Sequence, residues 1–151
     1  MPTDVGVLLT QAVGEYEKRL CEAGLEPIIK CPEKKVLIMA DGRRMWRVFD
    51  NLLNNICKYS LEKTRVYLTI EEQAKEVLIT FRNTSRDALD IAPEELMERF
   101  TRADDSRHSE GNGLGLAIAK SLIQLQGGTL TLVIDGDLFK AQVKFPTVTE
   151  N

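Results

Sequence analysis

The chain has 151 residues, of which 43% are hydrophobic and 28% charged, and its net charge is −3. This composition is typical of a folded globular domain and excludes a disordered or fibrous chain. No apolar stretch approaches the ~20 residues of a membrane-spanning helix, and the near-neutral charge argues against wholesale nucleic-acid binding. Three cysteines without CxxC spacing indicate reduced thiols. A single histidine, His108, excludes a Ser-His-Asp triad or a histidine-rich metal site elsewhere in the chain. We therefore expect one soluble, cytosolic domain.

The first half of the chain alternates between helical and strand-like patterns. Apolar residues at helical spacing predict a helix over Asp4 to about Ala23, ended by Gly24. The two short apolar runs that follow, Leu25–Ile29 and Val36–Ala40, are separated by a Pro-containing turn and predict a hairpin. The next predicted elements are a helix from Asp41 to about Tyr59 and strands at Arg65–Glu71 and Glu76–Arg82.

The second half begins with an irregular region and then becomes regular again. Its predicted elements are a short helix at Pro93–Arg99, a mobile polar loop at Thr101–Asn112, a helix from Gly113 to Gln126 ended by Gly127–Gly128, and strands at Thr129–Ile134 and Leu138–Phe145 joined by a tight turn at Asp135–Asp137. The order of elements predicts one α/β domain with antiparallel hairpins, most simply a sheet covered on one face by three main helices.

The helix after Asp41 carries an unusual polar set beside its apolar stripe. Asn51, Asn55 and Lys58 repeat at i, i+4 and i+7, and Asn54 adds a third asparagine within five positions. Asparagine is a mediocre helix former, so this density is locally costly. One interpretation is a solvated polar face. The other is a binding site, with an amide oxygen for a hard cation, a neighbouring amide to position a water, and a lysine for phosphate.

A glycine-rich turn leads into the third long helix. The segment Gly111–Leu116 reads Gly-Asn-Gly-Leu-Gly-Leu, and such a turn brings backbone N–H groups and a helix N-terminus close to an anion. Its spacing matches neither the P-loop nor the Rossmann fingerprint, and glycines also serve turns and close helix packing. The preceding loop holds Arg102, Arg107 and His108, which either close over a triphosphate or form a solvated charge run.

Together these segments resemble the ATP-binding catalytic domain of bacterial sensor histidine kinases, a Bergerat fold. Asp50–Tyr59 is similar to the N box, Glu98–Asp104 to the F box and Gly111–Leu116 to the G2 box, in the family's order. The similarity spans nearly the whole chain, from about Asp41 to Pro146. The resemblance implies an α+β two-layer sandwich. Its sheet would be mixed and mostly antiparallel, with about five strands covered on one face by three main helices.

The resemblance also implies roles for individual residues. Asn55 would ligate Mg²⁺, Asn51 would lie near the γ-phosphate, and Lys58 would contact phosphate, so that Asn51 and Lys58 serve the transfer itself. Related ATPases place a glutamate base where Asn51 stands, and an amide cannot act as a base. The remaining ATP-binding residues would be Tyr59 near the adenine, Phe100 and Arg102 at the ATP lid (101–112), and the backbone of Gly111, Gly113, Leu114, Gly115 and Leu116 around the phosphates.

The chain departs from the family at the G1 box. The family usually has Asp-x-Gly-x-Gly after a strand, where the aspartate accepts a hydrogen bond from the adenine amino group. Here Asn83 stands in place of the aspartate, and no glycines follow it. An amide oxygen can still accept that bond, but without a charge the bond is weaker, by about 1 kcal/mol. The departure affects the expected nucleotide affinity and base preference.

The function implied by the resemblance is transfer of the γ-phosphoryl group of ATP to a histidine on a separate helical-hairpin dimerisation domain, with a response regulator as a further partner. His108 lies in the predicted lid, so it is not an acceptor on a helix. We therefore expect residues 1–151 to be a single catalytic domain, without its dimerisation, sensor and membrane segments. It would be the cytoplasmic part of a membrane-anchored kinase, would not contact the membrane itself, and would turn ATP over slowly alone.

Two alternatives remain open. A protein serine kinase of the anti-sigma-factor type has the same fold and about this length. A degenerate signalling domain that scaffolds a partner without nucleotide is compatible with the altered G1 box.

Overall fold

The computed structural model describes residues 1–89, 92, 94–95 and 114–148. In chain order its elements are β1 (Pro2–Asp4), α1 (Val5–Glu15), α2 (Glu17–Glu22), β2 (Leu25–Lys30), β3 (Leu37–Met39), α3 (Gly42–Tyr59), β4 (Thr64–Glu72), β5 (Glu76–Thr84), α4 (Leu114–Leu125), β6 (Thr129–Asp135) and β7 (Leu138–Pro146). None of these helices combines the length and the apolar character needed to cross a membrane.

Five strands form one sheet in the order β2-β4-β5-β7-β6. Strand β2 runs parallel to β4, and the other neighbours are antiparallel. Along β5 and β7, buried and half-buried residues alternate, because successive side chains of a strand point to opposite faces. The buried face packs with apolar side chains of α1, α3 and α4 in one core. The predicted two-layer sandwich with a mixed, mostly antiparallel sheet is confirmed.

Helix α3 has a capped start and a continuous apolar stripe. The carboxylate of Asp41 accepts hydrogen bonds from the backbone N–H groups of Arg43 and Arg44, at 2.8 and 3.3 Å, and thus pairs two donors of the first turn that lack helical partners. The buried residues are Met45, Val48, Phe49, Leu52, Leu53 and Ile56, and they recur at the spacing of one helix face. Asn51 and Asn55 therefore lie on the flank of the helix, beside this stripe.

The cap at Asp41 makes the stability of the fold depend on pH. Hydrogen bonds from the backbone of Arg44 and Arg43 lower the pKa of Asp41. A carboxyl group with a pKa lowered by folding stabilises the folded state above its ordinary pKa, and this contribution disappears as the pH falls through the lower, folded-state pKa. We expect the native domain to melt at a higher temperature than Asp41→Asn at neutral pH, and this gap to close below about pH 4. Thermal denaturation of both proteins across the acid range measures the gap, and a pH-independent gap contradicts the assignment.

The predicted hairpin between Leu25–Ile29 and Val36–Ala40 is wrong. The first run forms β2, which pairs in parallel with β4 at the edge of the large sheet. The second run contains β3, which pairs with β1 in a separate two-stranded sheet. Both partners lie far along the chain, and β1 has only three residues, too few to show a periodicity. Adjacency in sequence therefore gave a false pairing.

The first predicted helix is interrupted near its middle. It divides at Tyr16, which ends α1 and precedes α2 with φ −97° and ψ 0°. The Tyr16 ring is buried, and its hydroxyl oxygen lies 2.9 Å from the backbone oxygen of Asp50 in α3. The predicted start at Asp4 and stop at Gly24 are confirmed, since Asp4 caps α1 and Gly24 has φ +73°.

The remaining predicted elements lie close to their predicted bounds. Helix α3, the two middle strands and the C-terminal pair β6 and β7 are confirmed. Helix α4 ends before Gly127, whose φ is +90°, and Gly128 lies so close to β7 that a Cβ there would be 2.7 Å from the Lys144 carbonyl oxygen. Of the short helix predicted at Pro93–Arg99, Glu94 and Glu95 are described, and both are helical.

Candidate functional site

The structure brings two of the sequence motifs into contact. Helices α3 and α4 pack together, and Gly115 of α4 lies against Asn51 of α3. A Cβ at Gly115 would lie 3.4 Å from the Asn51 Cβ and 3.6 Å from its backbone oxygen. The first turn of α4 therefore lies directly against the flank of α3 that carries the asparagines.

The predicted ligands on α3 are half-buried and chemically available. None of the described residues hydrogen-bonds the side chain of Asn55, and Lys58 forms no ion pair with a described residue. The side-chain nitrogen of Asn51 is buried and has no hydrogen-bond partner among the described residues. An amide oxygen, an amide N–H group and an ammonium group thus line one flank of the helix.

The third asparagine of the helix has a structural partner. The Oδ1 atom of Asn54 accepts a hydrogen bond from the guanidinium of Arg19, which also stacks on the Tyr16 ring at 4.7 Å. The Tyr16 hydroxyl donates a hydrogen bond to the Asp50 carboxylate. Burial is the main cause that raises the pKa of Tyr16, and this hydrogen bond is the second. Tyr16 and Arg19 therefore fix α1 and α2 to α3 next to the site. Neither residue was singled out from the sequence.

Asn83 lies at the end of β5 in a buried polar cluster. Only 4% of its surface is exposed, and its Nδ2 atom donates to Ser60 Oγ at 2.8 Å. Its Oδ1 atom is buried and has no partner among the described residues. The buried polar residues of the described chain are Ser60, Asn83 and Ser85, and a β-bridge joins the two serines. The end of β5 is thereby attached to the residues that follow α3.

Tyr59 borders the same cluster. It is half-buried, its backbone oxygen accepts from the Arg86 N–H at 2.8 Å, and burial raises the pKa of its hydroxyl. The resemblance implies that Tyr59 lies near the adenine; in the structure Tyr59 directly precedes Ser60, the hydrogen-bond partner of Asn83.

Both buried side-chain atoms without a partner in the described chain belong to predicted ligands, Asn51 Nδ2 and Asn83 Oδ1. Leaving a buried donor or acceptor unpaired costs about 1–3 kcal/mol, so such atoms are uncommon in folded proteins. A ligand that fits them offers an acceptor to Asn51 and a donor to Asn83. A phosphate oxygen and a base amino group have these properties.

Part of the predicted site lies outside the residues that the structure describes. Phe100, Arg102, Gly111 and Gly113, together with the rest of the predicted lid, lie outside the described residues. Helix α4 begins at Leu114. The side chain of Leu116 belongs to the core, so its backbone is the part that remains available to a ligand.

A groove of about 910 Å³ lies elsewhere, between α2 and strands β2, β4 and β5. Its lining includes Cys21, Lys63, Tyr67 and Thr84. Thr84 follows Asn83 in β5, and successive strand residues point to opposite faces, so Thr84 lines this groove from the face of the sheet opposite to Asn83. It contains none of the predicted ligands.

Comparison with known proteins identifies the family. Residues 40–148 match the family described as histidine kinase-, DNA gyrase B- and HSP90-like ATPases. Sensor protein VanS of Enterococcus faecium is 30% identical over 149 residues, which are 97% of this chain and 38% of VanS. The chain therefore belongs to this ATPase family, as an ATPase domain of the sensor-histidine-kinase type. It spans less than two fifths of the length of the sensor protein that it matches.

Solved structures agree with this assignment. Full-length ShkA in complex with AMPPNP aligns with a TM-score of 0.78 and 26% identity, over 99% of this chain and 32% of ShkA. Histidine kinase ThkA in complex with the response regulator protein TrrA aligns with a TM-score of 0.78 and 17% identity, over 98% of this chain and 42% of that chain. The second likeness is one of fold.

Proposed function

We propose that this domain binds Mg·ATP along the flank of α3 and transfers the γ-phosphoryl group to a histidine on a separate dimerisation domain. The observation that carries the proposal is the pair of unpartnered buried atoms, Asn51 Nδ2 and Asn83 Oδ1. Ser60, the partner of Asn83, lies nine positions after Asn51 at the C-terminal end of α3, which corresponds to about 13 Å along the helix. An extended nucleoside triphosphate suits such a span. The AMPPNP complex of ShkA supports a nucleotide at a site of this family.

Asn55 would hold the metal ion. An amide oxygen suits a hard cation such as Mg²⁺, and the Asn55 side chain has no hydrogen-bond partner among the described residues. When bound, Mg²⁺ neutralises charge on the phosphates and fixes their geometry. The Asn55 amide contributes to this by presenting a ligand from a rigid, capped helix.

Asn51 and Lys58 would act on the transferred group. The amide N–H of Asn51 would donate to a γ-phosphate oxygen, and the Lys58 ammonium would stabilise the charge there. Since an amide cannot take a proton from water, the site favours transfer to a positioned histidine over hydrolysis. The P–O bond to the departing ADP breaks as a P–N bond forms at the histidine ring.

Other predicted residues would complete the nucleotide site. Asn83 would accept a hydrogen bond from the adenine amino group through its unpartnered oxygen, next to Tyr59. The backbone at the start of α4 would bind phosphate through its N–H groups. The residues proposed for that backbone and for the lid are Phe100, Arg102, Gly111, Gly113, Leu114, Gly115 and Leu116.

The partners and location of the whole protein follow from the same proposal. The acceptor histidine would lie on the dimerisation domain of the full-length kinase, and a response regulator would receive the phosphoryl group, in keeping with the ThkA–TrrA complex. The domain would be the cytoplasmic part of a membrane-anchored bacterial kinase.

Trans-phosphorylation tests this function. The domain is mixed with radiolabelled Mg·ATP and the histidine-containing dimerisation domain encoded by the same gene. We expect label to reach the dimerisation domain as an acid-labile, alkali-stable phosphohistidine, with slow ATP turnover when the acceptor is omitted.

Two other outcomes would contradict the proposal, one for the acceptor residue and one for nucleotide binding. Acid-stable label on a protein serine would support a serine kinase. Calorimetry that shows no binding of Mg·ATP at about millimolar concentration would support a nucleotide-free interaction domain.

A further inference from the structure

The Asn83–Ser60 pair has two equivalent arrangements. In the structure, Asn83 Nδ2 donates to Ser60 Oγ and Oδ1 is left unpartnered. A serine hydroxyl is both a donor and an acceptor, and no described residue accepts the proton of Ser60 Oγ. A half-turn of the amide about its Cβ–Cγ bond therefore keeps one hydrogen bond to Ser60. It then presents an N–H group where the carbonyl oxygen stood.

A carboxylate at this position does not have this freedom. The kinases that this sequence resembles usually have an aspartate at this position. An ionised aspartate accepts hydrogen bonds and donates none. The aspartate can therefore accept a hydrogen bond from an amino group at position 6 of a purine, but it has no hydrogen to donate to an oxo group there. The Asn83 amide suits the amino group through Oδ1 and, after the half-turn, the oxo group through Nδ2.

We propose that the Asn83–Ser60 pair lets this domain bind 6-oxopurine nucleoside triphosphates as well as ATP. The inference rests on the proposed function, because it assumes that the base lies against Asn83. The backbone of Asn83 is held in the sheet opposite Phe139 of β7, so the position of the side chain is fixed while its amide can turn. Asparagine differs from aspartate only in having an amide group in place of the carboxylate.

Burial makes the amide decisive for selectivity. Asn83 is 4% exposed. A base that fails to pair with it therefore leaves one polar atom of the base and one of the amide buried without a hydrogen bond. Sites that hydrogen-bond a substrate group can discriminate against a mismatched analogue by a factor of about 10⁴. An amide that turns to match either base removes most of this discrimination.

Inosine triphosphate is the probe, because it differs from ATP at position 6 and in the proton at N1. Calorimetry with Mg²⁺ gives the dissociation constants of ATP and inosine triphosphate for the native protein and for Asn83→Asp. We expect the two constants of the native protein to agree within about tenfold. In Asn83→Asp, ATP should bind at least as tightly, and inosine triphosphate should bind at least about 100-fold more weakly than ATP.

Asn54→Asp is the matched control. It makes the same chemical change on α3, at an amide that contacts Arg19. Its added charge can alter the affinity for both nucleotides, but the ratio of the two constants should stay as in the native protein. A ratio that rises equally in Asn54→Asp and Asn83→Asp would overturn the assignment to Asn83.

The outcomes separate this inference from the proposed function. If ATP itself does not bind, the proposed function is wrong. If ATP binds and the native protein discriminates against inosine triphosphate by more than about 100-fold, the inference is wrong and the function stands. That comparison uses the native protein alone, so it decides the matter even where Asn83→Asp fails to fold.

Discussion

Replacing Asn55 by alanine should weaken the binding of Mg·ATP by at least about 100-fold. In the proposed site, Asn55 supplies the protein ligand of the metal ion, and alanine has no oxygen to offer. The side chain is half-buried on the flank of α3, outside the buried stripe, and alanine is the best helix former. The loss should therefore appear in nucleotide affinity and not in the stability of the fold. Calorimetric titrations with ATP, in the presence and absence of Mg²⁺, measure it.

Asn54→Ala provides the matched control for this prediction. It removes the neighbouring amide, whose oxygen accepts from Arg19, and should leave the affinity for Mg·ATP within about threefold of the native value. The circular dichroism spectra of both variants should match that of the native domain. An Asn55→Ala protein that binds Mg·ATP with native affinity would show that the metal ligand lies elsewhere.

Replacing Phe81 by alanine should destabilise the domain by about 3–5 kcal/mol. The ring is 2% exposed and lies in β5, and its centroid is 5.5 Å from that of Phe49 in α3, with the ring planes at 42°. This aromatic pair joins the central sheet to the helix that carries the site. Its loss leaves a cavity and removes a favourable ring contact. Since ordinary domains are stable by about 5–15 kcal/mol, this variant should have little stability left.

Urea denaturation of native protein, Phe81→Ala and Leu125→Ala tests this prediction. Leu125 is 68% exposed at the end of α4, so its replacement should change the free energy of unfolding by less than about 0.5 kcal/mol. A loss below about 1 kcal/mol in Phe81→Ala would mean that the aromatic pair does not connect the two layers as described.

The fold was predictable from the sequence wherever local signals determine structure. Asp41 and the stripe from Met45 to Ile56 define α3, and the turn around Gly136 defines the C-terminal hairpin. Pairing between distant segments was not predictable in this way. The parallel pairing of β2 with β4 and the short sheet of β1 and β3 depend on tertiary packing, and no periodicity within either segment indicates its partner.

The candidate site shows the same division. The residue types and spacing on α3 made Asn51 and Asn55 candidates, and the resemblance to the N box implied their roles; the structure adds that Gly115 lies against Asn51. Ser60 was missed because its importance comes from lying next to Asn83, 23 positions along the chain. Tyr16 lies within the first predicted helix, and its hydroxyl contact with Asp50 has no signature in sequence spacing.

The order of strands also limits when the sheet can form during synthesis. Strand β7 lies between β5 and β6, where its residues Leu138–Pro146 pair with both neighbours. Until this segment has left the ribosome, β5 and β6 have no strand between them to pair with. Apolar side chains of both strands then remain exposed to solvent. We therefore expect the sheet to close only after translation of Pro146, and a chain shortened before Leu138 to be retained by chaperones or degraded.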